Sequence, residues 1–132
     1  MRMLMFVAAL LATAPARAAG LSDMSEGWTF REQGGAAVYA NLCAACHQAE
    51  GRGAIGAAAY PALAKNPDLA SADYVEAVVL AGKNAMPPLG GMLSDAQVAD
   101  LVGYVRTHFG NDYPEAVSAA DVAAARARAA SR

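Results

Sequence analysis

Five consecutive residues, Cys43-Ala44-Ala45-Cys46-His47, have the types and the spacing to hold an iron-bearing ring. Two thiols three positions apart, followed at once by a histidine, form the c-type haem attachment signature. On one helical turn the two sulfurs reach the two vinyl groups of a single porphyrin and form thioethers. The next residue then projects its imidazole at the iron. The thioethers keep the porphyrin in place even when a bond to iron breaks, and the imidazole supplies a strong-field axial nitrogen.

Other chemistries use the same residue types. A redox-active C-x-x-C expects a strand before it and a helix after it. The flank here, Gly34-Gly35-Ala36-Ala37-Val38-Tyr39, is not β-rich. Zinc needs four ligands, whereas the chain has two cysteines and two histidines, with His108 far from the motif. A disulfide between thiols three apart in a helix strains the bond. Haem is the reading adopted.

A sixth iron ligand is sought in the loop Lys83-Asn84-Ala85-Met86-Pro87-Pro88-Leu89-Gly90-Gly91-Met92. Its prolines and glycines exclude regular structure. A soft thioether suits haem iron and raises its potential. Met86 is chosen over Met92 because Pro87 stiffens the adjacent backbone; Met92 reads as packing. Pro61 is a third candidate. Its carbonyl could accept the Nδ1 proton of His47 and so tune the ligand, or Pro61 could be an ordinary turn residue. His108 reads as a solvated histidine at a helix C-terminus.

Helices must position these groups. From about Gln33 the pattern turns helical, with Val38, Leu42 and Ala45 on one face and Tyr39 and Cys43 beside it. Gly35 is costly in that helix and would allow another helix to come close. The helix should end near Cys46 to Ala49. Gly51 to Ala59 reads as a flexible wrap with little to pack. Ser71 caps a helix from Ala72 to Ala81, with Tyr74, Val75, Val78 and Val79 as its apolar stripe and Gly82 closing it. Ser94-x-x-Gln97 opens a strongly amphipathic helix through Val98, Leu101, Val102, Val105 and Phe109, closed by Gly110. Beyond Asn111 an Ala-rich tail could form a short helix capped by Ser118 and Asp121, with a weak stripe, marginal docking and a frayed end.

The chain has 132 residues, which fits a single domain. Arg2, the apolar run Leu4 to Ala14 and Ala16-Arg17-Ala18 read as a signal peptide over residues 1–18. Residues 19–32 then form an arm bearing Trp28 and Phe30, 33–110 the folded domain and 111–132 the tail. No second apolar run is long enough to span a membrane as a helix. The net charge of −2 argues against nucleic acid, which favours a basic face. A chain this small buries a modest core, and a haem would supply a large apolar body at its centre.

With these marks in order, the chain resembles a small class I c-type cytochrome. The resemblance rests on Cys43, Cys46 and His47, then Tyr60-Pro61-x-Leu63 after a Gly-rich loop, then Met86-Pro87, then the last amphipathic helix. It covers roughly Gln33 to Gly110. It implies an all-α fold wrapped around one haem c, bound covalently through Cys43 and Cys46 and ligated by His47 and Met86. It also implies that the first and last helices of the domain cross, with Gly35 and Tyr39 meeting Leu101 and Tyr104, and that the Pro61 carbonyl bonds the haem histidine. Because haem attachment in bacterial members takes place outside the cytoplasm, it implies a periplasmic protein.

The run from Met86 through Gln97 to Tyr104-Val-Arg-Thr-His-Phe-Gly-Asn is similar to cytochrome subunits or small cytochromes that accompany periplasmic dehydrogenases. Those subunits often carry several haems, whereas this chain has one motif. The implied function is a one-electron carrier, not an enzyme, passing electrons from a dehydrogenase toward a terminal oxidase or another cytochrome. A haem enzyme or gas sensor with a labile sixth ligand is the rival.

Overall fold

The computed structural model describes residues 29–56 and 59–131. The expected leader, most of the arm and Trp28 lie outside the described residues.

The first helix, α1, runs over 35–47 as an α-turn Gly35–Val38, a π-turn Tyr39–Cys43 and an α-turn Ala44–His47. It stops where Gln48 takes a φ of 67°. The π-turn adds a residue to one turn and so shifts the side-chain register. Val38 and Tyr39 are buried as expected, but Ala44 rather than Ala45 packs on the core. Ala45 is exposed. A strict α period could not anticipate that shift.

The Gly-rich segment after α1 is a small antiparallel hairpin, β1 (Ala54–Ile55) with β2 (Ala59–Tyr60), in the register Ala54 opposite Tyr60. Ile55, Gly56 and Ala59 are exposed, as expected of a wrap with little to pack, but its approach at Gly51 and Gly53 is tightly packed. Gly51 is buried, and its carbonyl accepts the N–H groups of Leu63 and Ala64 at 2.7 and 2.9 Å. Gly53 (φ 66°) donates to the His47 carbonyl at 3.0 Å. A Cβ there would lie 2.7 Å from the carbonyl carbon of Pro61.

A 3₁₀ turn, Pro67–Ala70, leads into α2 (Ala72–Ala81), whose Tyr74 N–H is capped by Ser71 Oγ. The long helix α3 (Asp95–Thr107) opens with a full Ser94–Gln97 capping box. Gln97 also donates to the carbonyls of Phe30 and Glu32, both at 2.8 Å, tying the end of the N-terminal arm to this cap. α3 ends at Thr107, three residues before the expected stop at Gly110. Phe109, with φ 60°, turns back under α1, and its ring centroid lies 4.8 Å from that of Tyr39.

α1 crosses α3 at Gly35, where an added Cβ would lie 2.5 Å from Tyr104 Cβ and 2.8 Å from the Asp100 carbonyl carbon. The two rings Tyr39 and Tyr104 meet beside it, 5.6 Å apart. The core is the buried face of α3, Val98, Leu101, Val102 and Val105, with Val38, Val75 and Val79 around it.

The tail departs from expectation. α4 (Ala119–Ala130) is capped by a Ser118–Asp121 box and packs on both α2 and α3. Val122 and Ala125 are buried beneath it. Its apolar stripe is as thin as the sequence suggested, but Arg126 adds polar contacts that the stripe does not reveal. The architecture is all-α, helices around a central cleft with one small hairpin. Among the described residues, no helix is long and apolar enough to cross a membrane.

Candidate functional site

An apolar cleft of about 730 Å³ opens between α1, the Pro67–Ala70 turn, α2 and α3. Cys43 and His47 line it from α1, Val75, Val78 and Val79 from α2, and Leu101 and Val105 from α3. Pro61 and Met86 also face this space. An adjoining lobe of about 950 Å³ shares His47, Pro61, Tyr74, Val78 and Met86, and adds Cys46. All five residues singled out in the sequence therefore border one continuous region.

His47 sits at the end of α1 and is nearly buried. Its Nδ1 lies 2.9 Å from the Pro61 carbonyl oxygen. A carbonyl can only accept, so the proton of the neutral imidazole is on Nδ1 and Nε2 keeps its lone pair. That bond fixes the tautomer and ring orientation that a metal-ligating histidine needs. Of the two readings left open for Pro61, the contact is the one that occurs.

The Pro61 segment is itself held. Asn111, buried just past α3, donates through Nδ2 to the carbonyls of Leu63 and Val105, both at 2.8 Å, and accepts from the Asn66 N–H at 2.9 Å. In the sequence Asn111 only marks the start of the tail. An Asn after a helix stop is common enough that nothing marked it.

Met86 is half-buried on the loop after α2. Lys83 and Met86 exchange backbone hydrogen bonds at 2.9 and 3.1 Å, closing a tight turn that presents the thioether. Met92 packs against the core, and its carbonyl accepts from the Phe30 N–H at 2.9 Å. His108 is exposed and stacks on Tyr104 at 4.0 Å. Tyr74, assigned to the apolar stripe of α2, is at the rim instead. Its hydroxyl accepts from Lys83 Nζ at 2.9 Å.

The two cysteines are not joined in a disulfide. Burial, then the neighbouring Cys46 thiol, pushes the Cys43 thiol up to about 11. A redox-active cysteine needs the opposite, a lowered pKa, so the thiol–disulfide reading is disfavoured. Among the described residues, no group of three or more His, Cys, Asp or Glu side chains is placed to hold a bare metal ion. Two thiols at one wall, an imidazole with a free Nε2, a thioether and apolar sides fit a flat macrocycle that brings its own metal.

A family model described as cytochrome C oxidase, cbb3-type, subunit III matches residues 31–105. The chain belongs to the class I c-type cytochromes. The cytochrome is 38% identical over 109 residues to the gluconate 2-dehydrogenase cytochrome c subunit of Pantoea cypripedii, covering 71% of this chain and 24% of that protein. It is 38% identical over 101 residues to the alcohol dehydrogenase (quinone) cytochrome c subunit of Gluconacetobacter polyoxogenes, covering 67% and 21%. It is 40% identical over 75 residues to cytochrome c6 of a Synechococcus species, covering 54% and 64%. The cytochrome thus spans less than a quarter of the length of the two dehydrogenase subunits. Haem of the c type and electron transfer are the family's chemistry.

Proposed function

We propose that this cytochrome is a periplasmic monohaem electron carrier whose iron is held by His47 and Met86 and whose porphyrin is bonded to Cys43 and Cys46. Haem supplies a one-electron couple between ferric and ferrous iron. The residues do the rest. His47, oriented by Pro61, offers Nε2 to the same cleft that Met86 lines. That pairing is the observation that carries the proposal. The valines and leucines of α2 and α3 keep the cleft dry, and low polarity with a thioether ligand raises the potential. With His47 and Met86 both given to the iron, no substrate would bind there and the protein would only pass electrons.

The dehydrogenase cytochrome subunits among its relatives support a dehydrogenase as electron donor and the respiratory chain as acceptor. The leader read over residues 1–18 supports export. Met86→Ala in the haem-loaded protein should abolish the weak near-infrared sulfur–iron band of the oxidised form and lower the potential. Met92→Ala should change neither. Loss of the band in Met92→Ala with retention in Met86→Ala would reverse the ligand assignment. A high-spin wild-type spectrum with rapid carbon monoxide binding would favour the labile-ligand rival.

A further inference from the structure

The loop that presents Met86 is held from two sides. Past Met86 it hangs on the end of α2, where the Leu89 N–H donates to the Val79 carbonyl and the Gly90 N–H to the Leu80 carbonyl, at 3.0 and 3.2 Å. Pro87 and Pro88 supply no N–H to bond within the loop, and the Gly90 and Leu93 carbonyls find their partner elsewhere. Those carbonyls are met by a single side chain from the far end of the sequence. Arg126 of α4 donates through Nη1 to the Gly90 carbonyl at 2.5 Å and through Nη2 to the Leu93 carbonyl at 2.6 Å. Its Nε reaches Asp95 Oδ1, in the first turn of α3, at 2.5 Å.

We propose that Arg126 is a positioning residue for the iron's thioether ligand: it clamps the second half of the Met86 loop against the start of α3. The proposal rests on the His47/Met86 ligation set out above. A guanidinium is a planar fork of five donors, and three acceptors on two elements match that fork. A lysine could meet Asp95 but could not span both carbonyls. With only Val122 and Ala125 buried under α4, these three bonds are a large share of what the helix does for its neighbours. Breaking them leaves the segment Gly90 to Leu93 on its backbone bonds to α2 and to Phe30 and loosens the support behind Met86. The thioether then leaves the iron more often, and an external ligand competes better.

The haem-loaded wild type, Arg126→Ala, Arg126→Lys and Val122→Ala are compared by carbon monoxide binding to the ferrous form and by the sulfur–iron band of the ferric form during an alkaline titration. Arg126→Ala is expected to bind carbon monoxide roughly ten-fold faster, within the usual span of coupling between sites, and to lose the band at a lower pH. Arg126→Lys should fall between it and the wild type, and carries the comparison if Arg126→Ala does not accumulate. Val122→Ala loosens α4 by packing alone and should bind carbon monoxide at the wild-type rate.

Equal rates in Arg126→Ala and Val122→Ala would show general loosening and overturn the proposal. So would a wild-type rate and band in both Arg126 variants. A wild type lacking the band, or a Met86→Ala variant keeping it, would sink the ligation reading and the clamp with it.

Discussion

Glu76 is the residue whose environment conflicts most with its chemistry. It lies on α2, is only 1% exposed, and its Oε2 has no hydrogen-bond partner among the described residues. Burial, then Asp73 on its own helix and Asp121 on α4, raise its pKa, and Arg128 and Arg106 only partly offset them. In the window above the ordinary carboxylate range the unfolded chain has ionised while the native protein still holds the proton. The native state then binds more protons, so stability falls as pH rises through that window. Glu76→Gln removes the titration. Urea unfolding from about pH 4 to about pH 8 should show a flatter profile and a more stable variant at neutral pH; parallel profiles would mean that Glu76 is not the source. Residues of this kind were the hard ones to read from sequence. The Cys43, Cys46 and His47 cluster announces itself by spacing, and Met86 by its proline-stiffened loop. Glu76, Asn111 and the buried Arg106, whose guanidinium bonds the carbonyls of Leu69, Ala70 and Glu115, look like ordinary surface polar residues. Their partners come from distant segments, and no local pattern encodes them.

Among the elements, the crossing of α1 and α3 sets the width of the cleft. Gly35 makes that crossing possible, because any Cβ there collides with backbone and with Tyr104 Cβ rather than with a flexible side-chain end. Two effects compete in Gly35→Ala. Helix propensity favours alanine by roughly 1 kcal/mol, while forcing backbones apart costs about 3 kcal/mol. The collision wins, so Gly35→Ala should lose about 2 kcal/mol net in urea unfolding. A gain in stability would mean that the helices cross elsewhere. Element ends were well marked where a side chain caps them, and Ser71, Ser94 and Ser118 each accept the backbone N–H expected of them. Elements shaped by tertiary contact were not. The π-turn of α1, the early stop of α3 and the docked α4 all answer to partners far along the chain, and a 3.6-residue period carries no trace of those.

The whole molecule depends on what fills the space at its centre. α2 and α3 contribute valine and leucine side chains to the walls of one cleft and α1 contributes Cys43 and His47, so part of the core is a shell around the site. The family's porphyrin is the body that shell is shaped to pack against. Leaving such a shell unfilled is costly: a void of only about 200 Å³ costs about 5 kcal/mol at ~24 cal/mol per Å³. A small domain has about 5–15 kcal/mol in total. Cys43→Ala/Cys46→Ala, which blocks attachment, should therefore yield a chain with much of its helix, little near-ultraviolet circular dichroism and strong binding of a hydrophobic dye, the marks of lost specific packing. Helices with good caps survive such a loss better than those held by the cleft. α3, with its capping box, should keep the greatest amide protection, and the segment from His47 to Pro61, organised by the imidazole contact, the least. A double variant that unfolds as cooperatively as the haem-loaded protein, with the same near-ultraviolet spectrum, would mean that the helices pack on one another without help and that the cofactor is a passenger rather than the core.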